Sequence, residues 1–353
     1  MDRLNVTYVY HTTSTFIRKD IEFLKERYEV AEDTYAWENK YLVPFILVAQ
    51  FFKLLFTTNS KTVYIVMFAG YWSIIPTLFA KVLGRRTYII VGGTDCTSFP
   101  EFNYGSLRKP LIKKAIGYSL KNCTTILPVS EELVIYDYSY FDALEKKQGY
   151  KAFFPSIETP FQVVYNGYEL PIGDLFEDKR PNSFITVAGI RNPVTYELKG
   201  IDFFVEMAKT HSQCEFTIVG ISDDIATKFR IDIIPNLTCI PYVGKDELDK
   251  LYRKHQFYCC LSLSEGFPNA LCEGMSYGCI PIGSKVSAIP FIIGNTGFIV
   301  ERRDFVLLNQ VLRQAIALTK EEVFEKSTAS MKRIADSFPL KRRKSSFFNI
   351  IGE

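Results

Sequence analysis

Short apolar segments alternate with amphipathic ones along this sequence, and that alternation restricts the fold more than any other feature. The apolar segments predict strands over residues 5–10, 62–68, 87–91, 124–128, 161–165, 183–188, 215–219, 237–240, 257–261, 280–283 and 297–300. The amphipathic stretches predict helices, for example over residues 19–27, 73–83, 200–210 and 245–254. Because buried strands that alternate with helices form parallel sheets covered on both faces, the sequence predicts an α/β fold.

The predicted strands fall into two successive series, which indicates two doubly wound, Rossmann-like domains. Asn166 and Gly167 predict a turn after the first series, and residues 169–182 have the proline, glycine and charge content of a linker. We therefore predict an N-terminal domain over residues 1–168 and a C-terminal domain over residues 183–337. A basic amphipathic helix over residues 338–353 is expected to return to the first domain.

The composition argues against several classes of protein. A net charge of +3 is too small for a typical nucleic-acid-binding protein, so no nucleic-acid partner is expected. The eight cysteines form no C-x-x-C pair, and the first residues run into a strand without a signal-peptide pattern. We therefore expect reduced thiols and a cytoplasmic location. The longest apolar run, residues 41–56, is too short and too interrupted to span a bilayer.

Motifs of other enzyme classes fail on their context. The G-x-S-x-G pattern at residues 274–278 has no histidine after it, as a serine hydrolase would need. The stretch 278–285 ends in serine followed by lysine, whereas a phosphate loop ends in lysine followed by serine or threonine. No D-x-D pair occurs in the chain, so the usual carboxylate clamp for a nucleotide-bound metal ion is missing. We expect no cofactor and no required metal.

The strongest candidate site follows the predicted strand 257–261. Glu265 stands at the carboxyl end of that strand, where open α/β sheets bind ligands. Asn269 is predicted to cap a helix whose first amides, at Asn269, Ala270 and Leu271, form an anion site. Glu273 lies about one turn further along, so two carboxylates flank the anion site. A nucleotide-sugar can use all three parts. The loop between strand and helix consists of Gly266, Phe267 and Pro268.

Two cations follow the predicted strand 183–188. Arg191 and Lys199 flank the start of the helix predicted over residues 200–210. The planar fork of arginine and the compact charge of lysine suit a diphosphate leaving group. Solvated surface charges are the alternative interpretation of this pair.

These residues resemble the retaining GT-B glycosyltransferases of glycosyltransferase family 4. The chain shares the E-x7-E pattern from Glu265 to Glu273, a "G-R…K-G" segment from Gly189 to Gly200, and a stretch similar to "G-x-P-V-x-x-S" from Gly278 to Ser284. The resemblance covers nearly the whole chain and is densest over residues 187–300. It implies a GT-B fold with two doubly wound domains that face a central crevice.

The resemblance also implies roles for the candidate residues. Glu273 would bind the ribose, Glu265 the transferred sugar, and Arg191 and Lys199 the departing nucleoside diphosphate. Residues 266–271 would complete the donor site, and backbone near Gly244 would contact the base. The implied reaction retains the anomeric configuration, and its catalysis rests mainly on electrostatic stabilisation of the leaving group.

The sequence departs from the family in two loops. Residues 11–16 carry hydroxyls where the family has glycines, so Ser14 or Thr15 either donates to a ligand or caps a helix. Residues 91–95 lack the family's histidine. There, Gly92, Gly93 and Thr94 would form the acceptor side, and Asp95 either takes part in acceptor chemistry or caps a turn.

The sequence therefore predicts a retaining, metal-independent hexosyltransferase. Its donor would be a nucleoside-diphosphate sugar, and its acceptor a saccharide or lipid-linked saccharide in surface polysaccharide synthesis. A non-catalytic GT-B-fold partner subunit of a glycosyltransferase complex is the alternative. Residues 105–122 predict an amphipathic helix with a cationic flank, which either packs in the core or makes a peripheral contact with the inner membrane.

Overall fold

The computed structural model describes residues 3–39, 41–141, 146–173 and 175–352. The chain forms two compact units. The first consists of Met1–Asp137, Lys147–Asn166 and Lys341–Glu353, and the second of Tyr138–Lys146 and Gly167–Leu340. Each unit contains its own parallel sheet.

The elements are numbered in chain order. The strands are β1 (Asn5–Val9), β2 (Glu29–Asp33), β3 (Thr62–Met67), β4 (Arg86–Val91), β5 (Thr125–Pro128), β6 (Tyr136–Tyr138), β7 (Lys146–Gln148), β8 (Arg180–Ile190), β9 (Glu215–Ile221), β10 (Leu237–Ile240), β11 (His255–Cys260), β12 (Ile280–Ser284) and β13 (Phe298–Val300). The α-helices are α1 (Thr15–Lys25), α2 (Val43–Thr57), α3 (Ile74–Leu83), α4 (Pro110–Asn122), α5 (Tyr150–Phe153), α6 (Pro193–Leu198), α7 (Ile201–Thr210), α8 (Asp223–Lys228), α9 (Lys245–Lys254), α10 (Asn269–Ser276), α11 (Ile289–Ile293), α12 (Phe305–Ile316), α13 (Lys320–Ser337) and α14 (Leu340–Gly352).

The sheet of the first unit has the order β2-β1-β3-β4-β5, and all of its strands are parallel. Since crossovers between parallel strands are right-handed, this order places α2, α3 and α4 on one face and α1 on the other. Consistently, α3 packs against both α2 and α4. The apolar strands β3 and β4 are buried almost throughout between these two helical layers.

Helix α14 packs on the same face as α1 and is held there by a buried ion pair. The Nε and Nη2 atoms of Arg343 donate to the two carboxylate oxygens of Asp20 over 2.7 and 2.6 Å. The phenol of Tyr8 donates to Asp20 over 3.0 Å, and Nη1 of Arg343 donates to the carbonyl of Val164 over 3.1 Å. Because the pair is bidentate and its remaining sites are bonded, it ties α14 to the first unit.

The sheet of the second unit has the order β10-β9-β8-β11-β12-β13, again with parallel strands. The chain moves outward from β8 to β10 and then returns to β11 on the other side of β8. The strand order therefore reverses between β8 and β11. In open α/β sheets, ligands bind outside the carboxyl ends of the strands at such a switch point.

The structure contains elements that were not predicted, among them the short strands β6 and β7, and lacks most of one predicted strand. Strand β2 and helix α2 were not among the predicted elements, and the strand predicted over residues 161–165 is only a single bridge between Phe161 and Ile126. Gln162 and Val164 still donate to the carbonyls of Ile126 and Pro128 over 3.0 and 2.9 Å. Pro128 has no N–H to donate back, so a regular ladder does not continue along this segment.

Candidate active site in the second unit

A cavity of about 140 Å³ lies at the carboxyl ends of β8 and β11, at the switch point of the second sheet. Five of the residues predicted for the site contribute to its wall: Lys199, Glu265, Pro268, Asn269 and Ala270. The rest of the wall comes from the ends of the two strands and the loop after β11, with Thr186, Val187, Ala188, Gly189, Tyr258, Cys259, Cys260 and Ser262.

Lys199 and Glu265 form an ion pair in this wall. The Nζ of Lys199 lies 2.6 Å from Oε1 of Glu265, and the two side chains are 28% and 14% exposed. The hydroxyl of Ser262 donates to the same oxygen over 2.7 Å. The Glu265 carboxylate is therefore oriented by two donors, and the Lys199 ammonium stays partly open to solvent.

Gly200 and the loop after β11 together set the position of Lys199. Lys199 ends α6, and Gly200 adopts a φ of +65°, which favours glycine. A Cβ on Gly200 would lie 2.1 Å from the carbonyl oxygen of Leu261. The amide of Leu263 also donates to the carbonyl of Leu198 over 2.8 Å. The segment that ends in Lys199 and the segment that leads to Glu265 are thus joined by backbone contacts, and their close approach at Leu261 explains the glycine at position 200.

Helix α10 begins directly beside this ion pair. Its N-cap is Pro268, and Asn269 is its first residue, so the prediction of Asn269 as the capping residue is wrong by one position. The backbone bonds at its start begin with Cys272, which donates to the carbonyl of Pro268 over 3.3 Å. The amides of Ala270 and Leu271 precede that bond and point out of the helix N-terminus, where the helix dipole favours an anion.

The side chain of Asn269 has a partner that the sequence analysis missed. The hydroxyl of Tyr168 donates a short hydrogen bond to Oδ1 of Asn269, and the ring of Tyr168 stacks on Phe267 at 6.5 Å. Tyr168 is bonded through its backbone to Phe338 and Leu340, within the second unit. Phe267 is buried against the rings of Tyr168 and Phe338, so it supports the start of α10.

Ser262 is a polar wall residue that the sequence analysis did not single out. It stands three positions before Glu265 in the loop that follows β11, and a hydroxyl at that spacing is the signal that identifies it in hindsight. Tyr258 lines the cavity from β11 and donates to the carbonyl of Val187 over 3.3 Å. Burial raises the pKa of the Tyr258 phenol well above its usual value, so it serves as a neutral donor.

Arg191 is exposed and does not line the cavity. It follows β8 directly, and its backbone N–H donates to the hydroxyl of Thr195 over 3.1 Å. Asn192 and Thr195 form a capping box at the start of α6, which fixes the backbone around Arg191 while its guanidinium extends into solvent.

Four other predicted donor residues lie outside the cavity wall. Glu273 is half-buried one turn along α10, and Leu271 is completely buried in the core beneath that helix. Gly266 is buried in the loop before Phe267. Gly244 caps the start of α9 and is exposed, at the carboxyl end of β10 and two strands away from β8.

Residues 11–16 of the first unit lie at the carboxyl end of β1. Ser14 is the N-cap of α1 but makes no side-chain capping bond, and its buried hydroxyl has no partner among the described residues. Thr15 is the first, exposed residue of the helix. The ring of His11 stacks on Trp72 at 4.3 Å, and burial lowers the pKa of the His11 imidazole. This loop therefore contains a buried hydroxyl with no partner among the described residues and an imidazole stacked on a buried tryptophan.

Asp95 joins the loops that follow β3 and β4. Its carboxylate is 1% exposed and accepts the backbone N–H groups of Ala69, Gly92 and Gly93 over 2.9 to 3.1 Å. Burial raises the pKa of Asp95 above its usual value, although these three bonds act to lower it. Thr94 begins the short 3-10 turn that contains Asp95. The three backbone hydrogen bonds that the Asp95 carboxylate accepts favour a role for this residue in shaping the loop.

Gly92 is required by a close contact within the first unit. A Cβ there would lie 2.1 Å from the ring of Phe68, in the loop after β3. The close approach predicted at Gly92 is thus made by a side chain of the protein itself.

Comparison with known proteins places these observations in a family context. Residues 182–317 match the family model for glycosyl transferases group 1. The solved structures similar to the chain include sucrose-phosphate synthase from Thermosynechococcus elongatus, with a TM-score of 0.72 and 13% identity over 99% of this chain and 98% of that one. Anabaena HepE in complex with UDP and glucose gives a TM-score of 0.70 and 12% identity over 99% of each chain.

A TarM variant from S. aureus, in complex with Fondaparinux, α-GlcNAc-glycerol and UDP, gives a TM-score of 0.66 and 13% identity over 87% of this chain. The chain spans only 59% of the length of that TarM chain. No curated protein matches the chain. The two parallel Rossmann-like sheets and these structural likenesses show that the fold is GT-B. The family match is confined to residues 182–317, which lie within the second unit.

Proposed function

We propose that this protein is a retaining glycosyltransferase. It transfers a hexose from a nucleoside-diphosphate sugar to a saccharide or lipid-linked saccharide, in the synthesis of a surface polysaccharide. The observation that carries the proposal is the single cavity in which Lys199, Glu265 and the N-terminus of α10 meet at the switch point of the second sheet. These groups match the parts of a nucleotide-sugar. The amide N–H groups and the lysine suit the phosphates, and the carboxylate suits the sugar hydroxyls.

The donor's diphosphate occupies the N-terminus of α10 in this proposal. The amides of Asn269 and Ala270, two residues of the cavity wall, donate to phosphate oxygens, and Lys199 adds a positive charge beside them. The guanidinium of Arg191, exposed at the start of α6, closes over the phosphates from solvent. The complexes of HepE with UDP and glucose and of TarM with UDP support a nucleotide-sugar as the donor.

The two glutamates divide the rest of the donor between them. Glu265 accepts hydrogen bonds from hydroxyls of the transferred sugar, since its carboxylate is oriented by Ser262 and Lys199 at the cavity wall. Glu273, one turn further along α10, binds the ribose. Lys199 links the two halves of the site because its ammonium can donate to Glu265 and to a phosphate at the same time.

The reaction replaces one bond at the anomeric carbon with another. The bond from that carbon to the diphosphate oxygen breaks, and a bond to the acceptor hydroxyl oxygen forms on the same face. The acceptor proton passes to the departing diphosphate. Negative charge develops on that leaving group, so Lys199, Arg191 and the α10 amides supply most of the catalysis by stabilising it. No metal is needed for this step.

The acceptor is bound by the first unit in this proposal. The loop of residues 11–16 is the proposed contact, because it contains the Ser14 hydroxyl, which has no partner among the described residues, and the half-buried His11 ring, which stacks on Trp72. Asp95 holds Gly92 and Gly93 in place as part of the same surface. The α-GlcNAc-glycerol and Fondaparinux bound by TarM support a saccharide acceptor.

A donor screen tests the proposal. Saturation-transfer NMR with uridine and guanosine diphosphate sugars identifies the donor, and incubation with saccharide acceptors then measures release of the nucleoside diphosphate. The proton coupling at the new anomeric centre reports retention or inversion. We expect donor binding, turnover and retention. A chain that binds a donor but never releases its diphosphate with any acceptor would instead be a non-catalytic partner subunit.

A further inference from the structure

The outer face of α2 in the first unit is an exposed apolar stripe. Phe45 and Phe56, which lie on one line along the helix, are 72% and 81% exposed. Val48, Phe52 and Leu55 are also exposed between them. Helices on the surface of a globular protein normally carry polar side chains on the outward face. A row of five exposed apolar side chains on one helix therefore indicates an interaction site.

The opposite face of α2 is firmly docked on the sheet, so the stripe is a true outer surface. Gln50 is completely buried and donates to Asp33 over 2.7 Å and to the carbonyl of Trp72 over 3.1 Å. Leu54 packs with Tyr64 and Phe79 in the core of the unit. Val43 and Ile46 complete the inward face. The helix cannot bury its aromatic stripe by rotating without breaking these contacts.

The helical layer that contains α2 carries charge of one sign only. Residues 41–57, 73–86 and 105–122, which include α2, α3 and α4, contain no aspartate or glutamate, whereas the whole chain has 42 basic and 39 acidic residues. Their nine cations are Lys53, Lys81, Arg85, Arg86, Arg108, Lys109, Lys113, Lys114 and Lys121. This layer is thus both apolar and cationic.

We propose that this layer docks the protein on an anionic membrane surface, with the stripe of α2 inserted among the lipids. An interfacial helix combines apolar residues that enter the acyl boundary with basic residues that bind anionic headgroups. Helix α2 has 15 residues, about 22 Å at the usual rise per residue. A spanning helix needs about 20 residues. In the described part of the chain, every helix is too short or too polar to cross a bilayer.

Helix α4 contributes charge to this surface more than apolar area. Its residues Ala115, Ile116 and Leu120 are buried in the first unit. Lys113 lies over the rings of Phe153 and Phe154 at 5.4 and 5.8 Å. Lys109 and Lys114 remain exposed, as does Leu111. The sequence prediction placed the membrane contact on residues 105–122. The structure instead places the exposed apolar stripe on α2.

The charge of the layer favours lipid over a second copy of the chain. In a symmetric dimer the same surface meets itself, so the cations of both copies would be brought together without acidic partners. A leaflet that contains anionic lipid supplies the opposite charge and an apolar interior together. The inference goes beyond the proposed reaction and does not depend on the donor or acceptor.

Vesicle binding by the full chain tests this inference. Flotation is measured with phosphatidylcholine vesicles that contain or lack phosphatidylglycerol, at low and high salt. We expect binding to the anionic vesicles that weakens as salt rises, because the cations act through the surface potential. Failure of the wild-type chain to bind the anionic vesicles would overturn the proposal.

Two variants separate the apolar and charged contributions. Phe45→Ser with Phe56→Ser removes the two most exposed rings of the stripe and should weaken binding at least roughly tenfold. Lys109→Gln with Lys114→Gln removes two exposed cations and should weaken binding roughly 30-fold on anionic vesicles only. All four side chains are exposed, so circular dichroism melts should match those of the wild type.

Matched controls use equally exposed residues of the second unit. Ile172→Ser with Val306→Ser, and Lys250→Gln with Lys320→Gln, should leave vesicle binding unchanged. Equal losses in the controls, or unchanged binding by both α2 and α4 variants, would overturn the proposal. Dimerisation that disappears in the Phe45→Ser, Phe56→Ser variant without any vesicle binding would assign the surface to a second copy and overturn it as well.

Discussion

The ammonium of Lys199 lies 2.6 Å from the carboxylate of Glu265, although 66 positions separate the two residues in the sequence. Lys199 comes from the end of α6 and Glu265 from the loop after β11, so the pair joins the two strands that flank the switch point. Each residue holds the other in place at the wall of the cavity. A substitution at either one therefore changes the charge that the donor meets.

Replacing Lys199 tests the electrostatic mechanism. Lys199→Ala removes the cation beside the α10 N-terminus, and turnover should fall by roughly 10²–10³, the usual effect of losing one preorganised charge-stabilising group. Donor affinity should fall less, because the lysine acts mainly on charge that develops as the diphosphate leaves. Steady-state kinetics and calorimetry with the same donor measure the two effects.

The control for Lys199 is Lys209→Ala. Lys209 forms an exposed ion pair with Glu206 on α7 in the same unit and should leave both kinetic constants unchanged. Equal losses of donor affinity and turnover in Lys199→Ala would contradict a role concentrated in the transition state.

The division of labour between the glutamates predicts different binding defects. Glu273→Gln should weaken binding of the free nucleoside diphosphate, because the ribose contact is lost. Glu265→Gln should bind the free diphosphate normally but transfer slowly, because its proposed partner is the sugar. Isothermal titration with the diphosphate alone separates the two variants. If both bound it as tightly as the wild type, the ribose assignment of Glu273 would be wrong.

Chelation tests the proposal that catalysis needs no metal. The sequence contains no D-x-D pair, and the proposed diphosphate site consists of amides and side-chain cations. Activity should therefore persist after treatment with EDTA, and added Mg²⁺ or Mn²⁺ should change it little. A full loss of transfer on chelation, restored by one of these ions, would contradict the metal-free mechanism.

Gly200 has a predicted role in stability as well as in the site. Gly200→Ala places a Cβ 2.1 Å from the carbonyl oxygen of Leu261 at a φ of +65°. The clash and the backbone strain should lower the free energy of unfolding by about 1–3 kcal/mol, measured by urea denaturation. Gly244→Ala is the control, since a Cβ there meets nothing within 4 Å. Equal stability of the two variants would show that α7 shifts without cost.

Local pattern alone predicted some elements with their observed bounds. The strand predicted over residues 237–240 is β10, and the helix predicted over residues 245–254 is α9. Both have a strong period and clear flanking signals, such as Gly244 before the helix. The motif from Glu265 to Ala270 was also found by pattern, because a loop between a strand and a helix N-terminus is encoded by neighbouring residues.

Features that depend on distant contacts could not be predicted from the sequence. The bond from Tyr168 to Asn269 joins residues 101 positions apart, and nothing in the sequence around Tyr168 indicates it. Strand β2, with the sequence EVAED, is polar because it lies at the edge of the sheet, so it lacks an apolar strand pattern. Helix α2 has apolar residues on both its buried and its exposed faces and therefore shows little helical period.

A buried histidine predicts how stability changes with pH. His255 is 6% exposed; its Nδ1 donates to the carbonyl of Leu251 over 2.7 Å, and its Nε2 lies 2.8 Å from the hydroxyl of Thr217. Burial lowers the pKa of His255 below its usual 6.5, and the nearby Lys179 and Arg180 lower it further, against the opposing effects of Leu251 and Glu215. The neutral ring fits these contacts, with Nε2 accepting from Thr217.

The sign follows from proton binding in the two states. Below pH 6.5 the unfolded chain protonates this histidine, whereas the folded chain keeps it neutral until the lower, folded-state pKa is reached. The contribution of His255 to stability is therefore complete above pH 6.5 and is lost as the pH falls from there toward the folded-state pKa. Over this range the free energy of unfolding should fall by at most about 1.4 kcal/mol per pH unit because of this histidine. Urea denaturation between pH 7.5 and 5.5 should show this loss, and His255→Gln should reduce the slope. The folded His255 should also fail to titrate near pH 6.5 by NMR, and a normal titration there, with the same slope in the variant, would contradict the prediction.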